Sequence, residues 1–166
     1  MALRNILTAE DSALHKRCRP VTDFGERLHV LLDDLADTLY EANGVGLAAP
    51  QVGILRRVVV IDNEDELLEL VNPELIASEG EQTGAEGCLS VPGEYGVVTR
   101  PMKATVRAQD RDGNWFEVEG EGLLARAFCH ELDHLDGHVY TEIAERMLTP
   151  EEIEEMAKKQ EREEAE

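Results

Sequence analysis

The chain changes its period once between residues 103 and 137, and that change limits the fold more than any other feature. In "KATVRAQDRDGNWFEVEG" (103–120), Thr105, Arg107 and Gln109 alternate with Ala104, Val106 and Ala108. Asp112-Gly113 supplies a turn, and "WFEVE" returns as a second strand. After Gly120 the spacing becomes helical, and "EGLLARAFCHELDHLDG" reads as a helix that ends at Gly137. Further upstream, "DFGERLHVLLDDLADTLYEA" (23–42) carries Leu28, Leu31, Leu32, Leu35 and Leu39 at steps of three and four. This second helix is expected to be capped by Thr22 or Asp23 and stopped by "NGVG". "RVVVID" (57–62) and "LLELVNPELIASEG" (67–80) read as strands, with "NP" breaking the second run.

Thr149-Pro150 opens a last helix, with Thr as cap and Pro in the first helical position. One helix before the strands and two after them imply an α+β architecture, not alternating βαβ units. Neither a repeat nor a second domain is evident, so 1–166 reads as one domain. Its end, about 151–166, is an acidic helical tail in which eight Glu face two Lys and one Arg.

Charge narrows the class of partner. The 36 Asp+Glu and 16 Lys+Arg give −20 at pH 7, which disfavours nucleic acid and anionic membrane surfaces. No run approaches the roughly 20 apolar residues that cross a bilayer. The opening "MALRNILTAEDSALHKRC" lacks the apolar core of a secretory signal. Cys18, Cys88 and Cys129 are odd in number and widely spaced, which suits free thiols in a reducing cytoplasm better than disulfides.

Within the second half, "FCHELDHLDG" (128–137) places His130 and His134 one helical turn apart on one face, where both imidazoles can reach one metal ion. Glu131 sits one step round, where a base acting on a coordinated water belongs. Two ligands do not make a site. In the HExxHxxGxxH proteases a third His follows; here the match runs through Gly137, but Tyr140 stands at the final position. His138 reads as a helix-end residue. The other available donor is the thiol of Cys88, in the polar, glycine-flanked stretch "EGCLSVPG". A Cys-His-His set leaves a fourth tetrahedral position for water, as catalytic sites do. Cys129 points about 100° away from His130 on the helix, and Cys18 lies in no motif; both read as structural. A third segment, "GVGLAAPQVG" (44–53), leaves backbone bare for a substrate chain, and Gln51 can donate an amide hydrogen to a developing oxyanion.

Taken in order, "GVGLAAPQ" (44–51), "EGCLS" (86–90) and "HELDH" (130–134) resemble the three motifs of the peptide deformylase family in full. The likeness covers about residues 4–150. It implies an α+β fold with short antiparallel or mixed sheets around a central metal-ligand helix, flanked by N-terminal and C-terminal helices. It also implies a cytoplasmic enzyme that removes the N-formyl group from the first methionine of newly made polypeptides; a zincin-type metallopeptidase is the alternative. By motif position, Cys88, His130 and His134 would hold the metal, with Glu131 as general base and acid. Gln51 and the Leu89 N–H would steady the oxyanion, and Gly46 would pair with the substrate main chain. Helical spacing adds Leu123, Arg126 and Ala127, with Val45, as walls of a methionine pocket, Arg126 through its hydrocarbon stem. Glu86 and Asp133 fall in the motifs, but the sequence does not place them. Ligand type alone suggests Zn2+. The resemblance instead implies one Fe2+ ion, with Zn2+, Ni2+ or Co2+ as substitutes. Family members can dock on the ribosome through the C-terminal helix; in this chain eight Glu less three basic residues leave −5, so docking on RNA is expected to be weak or absent.

Overall fold

The computed structural model describes residues 2–165. In chain order the elements are α1 (Glu26–Glu41), β1 (Gly46–Ala48), β2 (Val58–Asp62), β3 (Leu67–Glu79), β4 (Gln82–Cys88) and β5 (Val91–Arg100). These are followed by β6 (Lys103–Gln109), β7 (Trp115–Glu121), α2 (Leu123–Leu135), β8 (Arg146–Met147) and α3 (Pro150–Ala165). Five strands form one sheet in the order β1-β2-β3-β6-β7, and β4-β5-β8 form a second. Every pairing between these strands is antiparallel.

The five-stranded sheet is covered on both faces, which explains why β2 is apolar at successive positions instead of alternating. Val58 and Val60 pack with the α1 stripe of Leu28, Leu31, Leu32, Leu35 and Leu39. Val59 and Ile61 turn to the other side, where they meet Ala125, Phe128 and Leu135 of α2 together with Val106 and Ala108. Helix α2 is thus pressed onto the sheet by its apolar stripe, and its remaining face looks toward the three-stranded sheet. A third cluster of Leu14, Val91, Val98, Val139 and Tyr140 closes that side.

Two expectations change and one hairpin is new. Asn72-Pro73 does not break the second run: β3 continues through it with a bulge, the register moving from Val71↔Gln109 to Glu74↔Arg107. Asn72 takes a positive φ of 51°, and its amide holds Val21 through both backbone groups, at 2.8 and 2.9 Å. A bulge residue has no ladder bond to lose, so the missing N–H of Pro73 costs nothing there. Helix α1 begins at Glu26, after Gly25, and Asp23 instead accepts the Gly25 N–H at 2.9 Å, shaping the turn before the helix. The hairpin β4–β5 was not expected. Its glycines and glutamates hide the alternation, because one side of these strands faces a cleft and not a core.

The N-terminal segment is tied to α1 through a buried carboxylate. Asp34 accepts the Ala2 N–H at 2.8 Å and the Arg4 Nε–H at 3.0 Å, while Thr38 Oγ1 accepts the Arg4 backbone N–H at 3.0 Å. Burial pushes the Asp34 carboxyl up, but the Ala2 N–H and the Arg4 guanidinium outweigh it and hold it below its ordinary value. Its contribution is therefore present above the unfolded-chain pKa of ~3.9 and is lost as pH falls through the lower folded value. Asp34→Asn is expected to cost about 1–3 kcal/mol in urea unfolding at pH 7. The gap to the unsubstituted protein should narrow only as the pH is taken below about 4.

Candidate metal centre

Helix α2 brings two donors to the cleft because Phe128 and Leu135, on its other side, are locked in the sheet core. His130 and His134 are both buried, and their Nε2 atoms lie 3.3 Å apart. The third donor comes from the end of β4. A register shift between Glu86 and Cys88, followed by the two-residue turn Leu89-Ser90, brings Cys88 opposite Val91. Gly87 is needed at the bulge, since a Cβ there would stand 2.6 Å from the Tyr95 ring. As a result Cys88 Sγ lies 3.3 Å from His134 Nε2. The three donor atoms all fall within 4.8 Å of one another.

The surroundings fit a cation. His130 Nδ1 donates to Glu86 Oε2 at 2.6 Å, which leaves the Nε2 lone pair for the cluster. Burial pushes both imidazoles toward neutrality. At His130 this is outweighed by Glu131, Cys88 and Glu86, which raise it to about 10. At His134 burial acts together with the His130 charge and drives the ring well below its ordinary value. A divalent ion bound there would be held by two neutral imidazoles and a thiolate, taking the place of their protons. Two N–H groups also point at the sulfur, from Ser90 at 3.4 Å and from Gln51 Nε2 at 3.6 Å.

Glu86 is the hub behind the donors. It is buried, and it accepts from Arg100 Nε at 3.1 Å, Arg100 Nη2 at 2.7 Å and Arg126 Nη1 at 2.9 Å, in addition to His130. Burial raises its carboxyl, but the bonds from His130 and Arg100 overcome this and lower it to about 2. Arg100 Nη1 continues the chain to Asp133 Oδ2 at 2.7 Å. Both motif carboxylates left without a place by the sequence are therefore joined through Arg100, the last residue of the unexpected strand β5.

Glu131 is buried beside the donors, and its Oε1 has no hydrogen-bond partner among the described residues. Burial, assisted by Glu86 and opposed by the charge of His130, pushes the carboxyl up to about 7. Gly46 lies directly over it: a Cβ at this position would stand 2.6 Å from Glu131 Oε2. Gln51 is fixed by its Oε1, which accepts the Ala48 N–H at 2.9 Å, so that Nε2 faces Ser90 Oγ at 3.1 Å.

All the expected residues but His134, which is fully buried, share one cleft of about 460 Å³: Val45, Gly46, Gln51, Leu89, Leu123, Arg126, Ala127 and Glu131 line it with Cys88 and His130. Leu123, at 60% exposed, sits on its rim and Ala127 is buried. Arg126 contributes more than the expected stem, because its guanidinium reaches Glu86. Tyr95 and Pro92 also line the cleft, and they went unread with their strand. His138 is exposed and pairs with Glu142 at 3.3 Å, outside the cluster.

A family model described as polypeptide deformylase matches residues 3–149. A peptide deformylase of Caldicellulosiruptor bescii is 57% identical over 154 residues, covering 93% of each chain. One from Agathobacter rectalis is 57% identical over 148 residues, or 89% of this chain and 94% of that one. The crystal structure of a peptide deformylase from Legionella pneumophila matches with a TM-score of 0.83 and 43% identity, over 97% of this chain and 99% of that one. This chain belongs to the polypeptide deformylase family.

Glu86→Ala would leave two guanidinium groups buried around an empty place. It is expected to destabilise the fold by about 3–5 kcal/mol in denaturant unfolding.

Proposed function

We propose that Cys88, His130, His134, Glu131 and Gln51 perform the reaction of this family, the metal-dependent hydrolysis of the N-formyl group from the first methionine of newly made polypeptides. Family membership carries the reaction and excludes the zincin-type alternative from further weight. The assignment of roles rests on one observation, the convergence of a thiol and two imidazoles within 4.8 Å beside a buried carboxylate that has an unpartnered oxygen. The whole chain is read as one catalytic domain, with 151–166 as its acidic tail.

Cys88, His130 and His134 would hold one divalent ion. When bound it supplies Lewis acidity, which makes a water nucleophilic near neutral pH and polarises the formyl carbonyl. The remaining work falls to the chain. Glu131 takes a proton from the attacking water and returns it to the leaving amine, and a carboxyl raised to about 7 suits both transfers. Gln51 Nε2 and the Leu89 N–H receive the negative charge that develops on the formyl oxygen; one such donor is worth about 3 kcal/mol. Strand β1 is an edge of its sheet, so Gly46 can pair with an extended peptide. The same glycine brings backbone onto Glu131, and a site walled this closely would admit a formyl hydrogen and refuse an acetyl methyl. Val45, Leu123, Ala127 and Arg126 would wall the methionine side chain.

Fe2+ is the proposed ion, with Zn2+, Ni2+ or Co2+ able to replace it. A thiolate at a ferrous site is open to oxidation, so activity should decay in air. The cytoplasm is the proposed location, in keeping with newly made chains as substrate. Among the described residues no helix is long and apolar enough to cross a membrane. Helix α3 is largely exposed and acidic, which supports the absence of RNA docking through it.

Formate release from formyl-Met-Ala-Ser tests the assignment. Glu131→Ala should lower kcat/KM by about 10²–10⁴-fold while the metal content stays at one ion per chain. Cys88→Ala should lose the ion, whereas a zincin would retain it. Equal turnover of the acetyl analogue would contradict the reading.

A further inference from the structure

Arg126 is an unusual wall for a pocket that takes a thioether. It lines the cleft together with Val45, Leu123 and Ala127, and it is only 8% exposed. A guanidinium carries five N–H donors. Nη1 is engaged, with Glu86 Oε1 at 2.9 Å and the Val98 carbonyl at 3.1 Å. Nε and Nη2 have no acceptor among the described residues. Nor does Glu86 depend on Arg126 for its counter-charge, because Arg100 already engages both of its oxygens. The pocket therefore has a largely buried cation whose Nε and Nη2 donors are free of protein acceptors without being fully buried, beside the apolar Val45, Leu123 and Ala127. Methionine does little for them, since a thioether sulfur is a weak acceptor.

A side chain with the length of methionine and a strong acceptor at the sulfur would use them. We propose that this chain also deformylates peptides that begin with N-formyl-methionine sulfoxide, the sulfoxide oxygen accepting from Arg126. The proposal rests on the deformylase reading and on this cleft as the side-chain pocket. The chemistry is the same hydrolysis, with water consumed and formate and a free amine released. The side chain is left unchanged. An apolar pocket would refuse the sulfoxide, because burying it without a hydrogen bond would reduce kcat/KM by roughly 10²-fold or more.

The test compares formate release from formyl-Met-Ala-Ser, its sulfoxide and its norleucine analogue. In the unsubstituted enzyme the sulfoxide is expected within about tenfold of methionine in kcat/KM. In Arg126→Leu the sulfoxide-to-methionine ratio should fall by at least about tenfold, and the norleucine-to-methionine ratio should move by less than about threefold. Arg126→Lys, which keeps a donor, should recover part of the sulfoxide ratio. A sulfoxide more than about tenfold below methionine in the unsubstituted enzyme, with norleucine well accepted, would overturn the proposal whether or not the variants fold. A sulfoxide ratio unchanged in Arg126→Leu would also overturn it. Failure of methionine and norleucine alike would instead strike the deformylase reading.

Discussion

A single buried carboxylate holds the centre together. Glu86 gathers Arg100 from β5 and both Arg126 and His130 from α2, while it belongs to β4 itself. The three-stranded sheet and helix α2 thus share one set of buried charges. Such a cluster is stable only if every member is paired, because each bare charge would carry its full desolvation cost. The pairing also fixes chemistry: with Nδ1 of His130 committed to Glu86, only Nε2 can face the other donors. Asp133 extends the same restraint to Arg100, so the orientation of one imidazole depends on residues of β4, β5 and α2.

Around this hub the fold divides its tasks by face. Alternate residues of β2 fill two different cores, one under α1 and one under α2, so the five-stranded sheet acts as a rigid plate. Its edge strand β1 carries Gly46 against Glu131, and the absence of a side chain there lets backbone approach the carboxyl. The turn after β4 brings the sulfur in from the opposite side. Burial raises Glu131 while hydrogen bonds lower Glu86, so two nearby carboxylates take different parts: one can move a proton and the other stays ionised.

The legible parts of the sequence were those with a single environment. The stripe of α1 meets one core, and the strands at 103–120 alternate between one core and solvent, so both periods survive in the residues. His130, Glu131 and His134 could be read together because one turn of helix sets their relation. Strands β4 and β5 could not be read, because Gly87 and Tyr95 answer to a bulge and a crowded cleft, and Gly96 to the close approach of Ala144, Met147 and Tyr140. Arg100 was lost with them; its partners Glu86 and Asp133 lie far away in sequence, and no local pattern links the three. Asn72-Pro73 was misread for the opposite reason. A pair that usually ends a strand is accommodated here because Val21 and Gln109 hold the Asn72 amide in place.

The central claim is that one ion binds to Cys88, His130 and His134 at the same point. Anomalous diffraction at the absorption edge of the bound metal, on crystals grown without oxygen, tests it most directly. The account predicts one strong peak about 2.0–2.4 Å from Cys88 Sγ and from both Nε2 atoms. A peak that leaves the sulfur out of bonding distance, or one centred on other residues, would contradict it.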